Sequence, residues 1–325
     1  MEGRRSRRVT AAITRAQTPA VLVILALVSL YFLWGSTYIG IRIAVRTLPP
    51  FLLGATRFLI AGGLMFAWAA ARGELRTARP TARHWLSALI VGGLLLGVAN
   101  GGVMWSEQYV DAGVAALIIA AVPVYMALIG HFTGQERLTR LVGLGLVLGI
   151  AGVVIVAHPW SSHGAYGVGT LVLLGASLAW AGGSMYARQA PLPKSAVVVT
   201  AMEMVCAGAL LGIAAVVNGD LGRAHPGAFS ATTLVSLLYL VVFGSIVGFS
   251  AYVYLLKHVS AALAGTYAFV NPAVAVLLGS LVLGEPVTVN LVVGGTVVIA
   301  GVALVVAGRS LGFQRGRRMA AEAAA

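Results

Sequence analysis

Charge is what this sequence lacks most. Of its 325 residues only 10% are charged, nine are acidic, and one is a cysteine. Soluble domains carry about 25% charged side chains, and a soluble fold of this length could not hide a chain that is 59% hydrophobic. A soluble globular protein is thereby excluded. The lone Cys206 excludes an intrachain disulfide and, set in an apolar run, reads as a small buried hydrophobe. Metal-ligand spacing is missing as well. There is no HExxH, no cysteine cluster and no DxD, and the six histidines fall in loops or near the ends of apolar runs. Neither GxSxG nor a P-loop occurs, so nucleophilic serine chemistry and ATP hydrolysis have no support, and no metal or cofactor is expected.

What is present is apolar sequence of spanning length. Ten runs fall at about 20–40, 51–71, 84–106, 111–133, 140–158, 167–187, 196–217, 232–256, 261–283 and 288–308. A helix needs about 20 residues to cross the hydrocarbon, and continuous rather than alternating apolarity argues against barrel strands. The fold class expected is therefore all-α integral membrane, with the lipid bilayer as its main partner. The basic start ahead of residues 20–40 resembles a signal peptide, but the run is of full spanning length with no small-residue cleavage site, so it reads as an uncleaved first span.

The net charge of +13 could suggest nucleic acid, but its placement points to loops instead. With the N-terminus inside, eighteen of the 22 Lys and Arg residues fall on the inner side. Arg42, Arg46 and Arg223 fall on the outer side, and Arg57 lies within a span. That bias predicts both termini in the cytoplasm of a cell (plasma) membrane protein, with 1–19 and 309–325 as basic tails.

The chain repeats itself. A shift of 149 places Pro123 on Pro272, Glu136 on Glu285, Thr139 on Thr288, Gly145 on Gly294 and Gly152 on Gly301. Earlier in each half a shift of 146 places Trp34 on Trp180, Arg42 on Arg188, Arg57 on Glu203 and Gly62 on Gly208. The halves are predicted at 20–158 and 167–308. Each holds five spans, an odd number, so the second half must enter the membrane from the opposite side. Inverted repeats of this kind can form two alternative gates around a midplane site.

Two units of the form Pro, twelve residues, Glu, then Thr three on and a Gly-rich span resemble paired EamA domains of the drug/metabolite transporter superfamily. LWGSTYIGIRIA, PPFLLGATRFLIAGG, the Asn100–Gly101 step, TAMEMVCAG and LVVFGSIVGFSAYVYLLKHVSAALAGTYAFVNPAVAVLLG resemble the YedA-like branch in particular. The likeness covers roughly 20–308. It implies two inverted five-helix repeats, a central cavity, and an exporter-like carrier of a small molecule.

Several residues are candidates for function. Pro123 and Pro272 fall near the middle of matched spans, where proline removes a backbone hydrogen bond and kinks the helix, as a hinge or as a static bend. Glu136 and Glu285 mark the repeat and read as caps of the helices that follow them. Arg57 and Glu203 are charged inside apolar spans, where such groups usually face a bundle interior or water. Glu203 and Arg57 are the coupling candidates, Glu203 as the carrier of a proton and Arg57 as its counter-charge where the two side chains meet. Tyr31, Trp34, Tyr38, Asn100, Trp180, Ser184, Tyr252, Tyr267 and Asn271 recur at helical spacing and should point inward, as an aromatic cavity for an amphipathic or aromatic solute. Spans 5 and 10, apolar and Gly-rich, should pack outside that cavity. An intramembrane enzyme acting on lipid or isoprenoid-linked sugar is the alternative, but Glu203 has no carboxylate companion within the spans. A passive channel would want a ring of repeated polar groups.

Overall fold

The structure, a computed structural model, describes residues 20–77, 79–134, 139–157, 164–225, 227, 229–258 and 266–322. Ten helical crossings follow one another: α1 Ala20–Ala44, α2 Pro50–Ala71, α3 Ala82–Ser106, α4 Ala112–Phe132, α5 Arg140–Ala157, α6 Gly164–Ala187, α7 Ala196–Val217, α8 Ala231–Tyr252, α9 Tyr267–Leu283 and α10 Val289–Glu322. Nine are long and apolar enough to cross a bilayer, and α9 is shorter within the described residues. Helices prevail because hydrocarbon offers no partner for a backbone N–H or C=O, and a helix pairs all of its own.

The chain is a multi-pass membrane protein, and its helices pair reciprocally. At the α5–α10 crossing a Cβ on Gly145 would lie 2.7 Å from Gly301 O, and one on Gly152 would lie 2.9 Å from Gly294 O. Position 145 corresponds to 294 and position 152 to 301, so each contact is the other with the halves exchanged. The α2–α7 crossing does the same. Gly62 packs on Val205, and Gly208 packs on Leu59. Contacts that map onto themselves in this way are the mark of a two-fold axis, here internal to one chain. In both crossings glycine lets two backbones approach to contact, which is how helices associate where lipid removes the hydrophobic drive.

The reciprocity extends to the acids that follow α2 and α7. Asp220 Oδ2 accepts the Phe51 and Leu52 N–H groups at 3.1 and 3.3 Å, capping the start of α2. Its counterpart in the other half, Glu74, accepts the hydroxyl of Ser195, the N-cap of α7, at 2.5 Å. Each half thus supplies a carboxylate to the positive end of a helix in the other.

Several expectations change. The helix α1 runs on to Ala44 and takes Arg42 into its last turn. Likewise α10 continues to Glu322, through residues expected to be a tail. The prolines differ from each other. Pro272 sits inside continuous α9, whereas α4 breaks after Ile119 and restarts at Val122, with Pro123 in the first turn of the second piece. There the missing N–H costs nothing, since first-turn N–H groups have no helical acceptor. Glu136 lies outside the described residues.

Candidate functional site

Both α3 and α8 contain an eight-residue π-helical segment, Gly93–Asn100 and Leu240–Val247, offset by 147 positions. A π turn widens the helix and frees carbonyls from the ordinary ladder, and such segments gather at functional sites. Here the freed carbonyls are taken by side chains. Asn100 Nδ2 donates to Leu95 O at 3.0 Å, and the Trp34 indole N–H of α1 donates to Gly244 O of α8 at 3.2 Å. The sequence signal for these segments is weak, since a glycine opens the first at Gly93 but falls in the middle of the second at Gly244.

Trp34 anchors an aromatic cluster drawn from three helices. Its ring centroid lies 5.2 Å from Phe249, 5.3 Å from Tyr252 and 5.1 Å from Tyr267, and the two tyrosines are 5.9 Å apart. Edge and tilted arrangements of this kind let ring edges meet ring faces. Tyr31 is hydrogen-bonded through its hydroxyl to Thr266 Oγ1. The buried Asn271 amide lies 3.1 Å from Tyr31 O and 3.2 Å from Tyr267 O; both are acceptors, so its nitrogen faces them and ties α1 to α9. Tyr38 lies within electrostatic range of Tyr267. Trp180 and Ser184 sit half-buried on α6, with no ring contact or side-chain hydrogen bond to the cluster among the described residues.

Gly248 makes room for the indole. A Cβ there would lie 2.5 Å from Trp34 Nε1 and 2.8 Å from its Cδ1. Gly248→Ala should therefore push the ring from its seat and cost about 1–3 kcal/mol, the usual range for overpacking. A melting temperature in detergent equal to that of the parent protein would show that the indole does not rest there.

Arg57 and Glu203 do not form an ion pair. The pairing of Gly62 with Val205 and Leu59 with Gly208 sets them about two turns apart, ~10 Å along the helices. Arg57 is buried and donates through Nε to the Ser245 hydroxyl at 2.9 Å, while its Nη1 has no partner among the described residues. Glu203 makes no hydrogen bond or ion pair among those residues. It acts electrostatically on Tyr252, as does Arg188. At Gly92, just before the first π segment, a Cβ would lie 2.8 Å from Glu203 Cα, so α3 runs directly over the carboxylate's backbone.

The end of the bundle predicted to be outer is latched. Arg42 bonds to the Glu107 backbone carbonyl, and its guanidinium lies 3.4 Å from Asp111 Oδ1 and 4.0 Å from Glu285 Oε1. Glu285 does cap a helix, though not the one that follows it. Its oxygens accept Ala112 N–H at 2.9 Å and Gly113 N–H at 3.3 Å, the start of α4 in the other half. The start of α10 is served by Thr288, whose hydroxyl accepts Leu291 N–H at 3.2 Å. Sequence spacing alone pointed to the nearer helix; the tight left-handed turn at Gly284 swings the carboxylate back across the interface.

Among known families, the model described as the EamA-like transporter family matches residues 21–157 and again 167–307. The Escherichia coli (strain K12) protein named uncharacterized inner membrane transporter YedA is 38% identical over 294 residues, covering 88% of this chain and 91% of that protein. The Bacillus subtilis (strain 168) protein named uncharacterized transporter YvbV is 25% identical over 290 residues, covering 89% and 93%. A solved crystal structure resembles the fold with a TM-score of 0.61 at 20% identity, over 87% of this chain and 96% of that one.

Proposed function

The chain belongs to the EamA-like transporter family, and from that premise we propose that it is a secondary active carrier that exports a small metabolite or drug by alternating access. The observation that carries the reading is the reciprocal packing of α2 on α7 and of α5 on α10. Two halves related in this way can exchange conformations, so a latch at one end implies an equivalent closure at the other. The cavity we assign is the space around Trp34, Tyr252 and Tyr267, extended by Tyr31, Tyr38, Asn100, Trp180, Ser184 and Asn271. Its rings and few polar groups suit an aromatic or amphipathic solute, including a cation held over a ring face. Pro123, beside the break in α4, and Pro272 in α9 are the assigned hinges. Glu203, which acts electrostatically on Tyr252 and has no hydrogen bond or ion pair among the described residues, is the assigned carrier of a coupling proton. Both termini face the cytoplasm of the inner membrane, and the two halves are the repeats 20–158 and 167–308.

Counterflow tests this. Purified protein in liposomes, preloaded with unlabelled solute, should take up labelled solute transiently when challenged with a panel of amino acids, aromatic metabolites and cationic dyes. Trp34→Ala should lower that uptake about tenfold or more, since aromatic contacts to a bound solute contribute on the order of 1 kcal/mol each. A panel on which the parent protein and Trp34→Ala perform alike would remove the cluster from the binding site.

A further inference from the structure

Six acidic side chains are described between Ala20 and Gly308, and four are committed. Glu74, Asp220 and Glu285 serve helix starts in the opposite half, and Asp111 holds Arg42. The fifth is Glu203, already given a role. The sixth is Glu107, which follows the last residue of α3. It is fully buried, and neither carboxylate oxygen has a hydrogen-bond partner among the described residues. Arg42 gives its hydrogen bond to the backbone carbonyl of Glu107 and none to the carboxylate.

Its charged surroundings come from every side. Arg42 and the Tyr38 hydroxyl face it from α1, Arg57 from α2, and Glu285 from the turn before α10. Asp111 at the start of α4 stands on Arg42, with Tyr166 of α6 facing Asp111 in turn. Arg42 is shared between Asp111 and Glu285, Glu107 is the carboxylate that acts on Arg57, and the exposed Arg46 lines the rim beside it. An ionised Glu107 is buried and without a hydrogen-bond donor among the described residues, which is among the costliest arrangements in a protein interior. A hollow lined by Arg42, Val45, Arg46, Glu107, Gln108 and Tyr109 opens at this end, next to the buried carboxylate.

We infer that Glu107 is a proton-binding site that governs the outer latch: it holds a proton while Arg42 bridges α1 to Asp111 and Glu285, and yields it to water in the hollow when that bridge opens. The inference rests on the alternating-access reading above and adds a regulator to it. Burial drives the Glu107 carboxyl well above the usual carboxylate range; Arg42 and Arg57 oppose the shift and Glu285 adds to it. Once open and hydrated, the carboxyl returns toward its ordinary value of about 4.3. The closed end therefore binds the proton more tightly, so lowering the pH favours closure, and closure is lost as pH rises through the raised value.

The test uses the full chain in nanodiscs, with Cys206→Ala and spin labels at Arg46→Cys and Val287→Cys, two exposed positions at this end. The parent should show a short and a long distance, their ratio rising with falling pH by up to about tenfold per unit, the limit for one proton. Glu107→Gln should stay short at every pH, and Arg42→Ala should stay long. Glu107→Asp should keep a pH response with a displaced midpoint, and it decides the matter if the glutamine variant does not fold. Two distances that ignore pH, or that respond to it equally in parent and Glu107→Gln, overturn the inference and leave the carrier reading standing. A single distance in the parent and in Arg42→Ala overturns both.

Discussion

Glu203→Gln should abolish solute accumulation driven by a pH gradient while leaving solute exchange intact. The carboxylate lies in an apolar helix, two turns from Arg57 and without a hydrogen bond or ion pair among the described residues. An ionised group so placed is disfavoured in hydrocarbon, so its charge state should follow the water that reaches it. Glutamine keeps the shape and most of the hydrogen-bonding capacity but has no proton to release. In liposomes, a gradient of one pH unit can support about tenfold accumulation per coupled proton, equivalent to 1.36 kcal/mol. The variant should show none of it, yet equilibrate labelled solute as the parent does. Its neighbours sharpen the test. Tyr252 feels Glu203 and Arg188 together, so Tyr252→Phe should alter affinity for solute and keep the coupling. Full proton-driven uptake by Glu203→Gln would make the residue structural.

The second large effect concerns folding. Gly152→Val should prevent the α5–α10 crossing from closing. A Cβ at 152 would lie 2.5 Å from Val298 N and 2.9 Å from Gly294 O, and both are backbone atoms that no rotamer change can move. Overpacking by side chains costs about 1–3 kcal/mol; here the helices themselves must separate, losing contacts along the whole crossing, so the cost should exceed that range. Gly143→Val on the same helix is the matched control, because nothing lies within 4 Å of a Cβ there. Gel filtration in mild detergent should give a monodisperse peak for Gly143→Val and aggregated or absent protein for Gly152→Val. Equal behaviour of the two would mean that α5 and α10 do not meet through these glycines.

Much of the architecture is legible in one dimension. Spanning length and continuous apolarity give the ten crossings, and an offset of about 147 residues carrying five spans per half requires the halves to be inverted. The aromatic residues at helical spacing on spans 1, 8 and 9 do come together, since Trp34, Tyr252 and Tyr267 have no good solvent in lipid and share the interior. Trp180, although it is the repeat counterpart of Trp34, has no such ring contact among the described residues. Equivalence in sequence does not ensure equivalent contacts in the fold, because each side chain meets what its own neighbours leave open. Likewise α4 breaks before Pro123 while α9 runs unbroken around Pro272.

Membrane class, the number of crossings and the inverted repeat are readable in one dimension because they depend on composition and period along the chain. Where the scarce acids go depends on how distant segments cross. Glu285 spans to the start of α4, Asp220 to the start of α2, and Glu74 to the N-cap of α7, each choosing a helix in the other half over its own neighbour. Those choices follow from crossings between distant segments, where a helix end presents unpaired N–H groups and a partial positive charge to whichever carboxylate the fold brings near. Among the described residues Glu107 has no such partner for the same reason: the arginine that reaches it is held, by the course of α1, against its backbone and not its side chain.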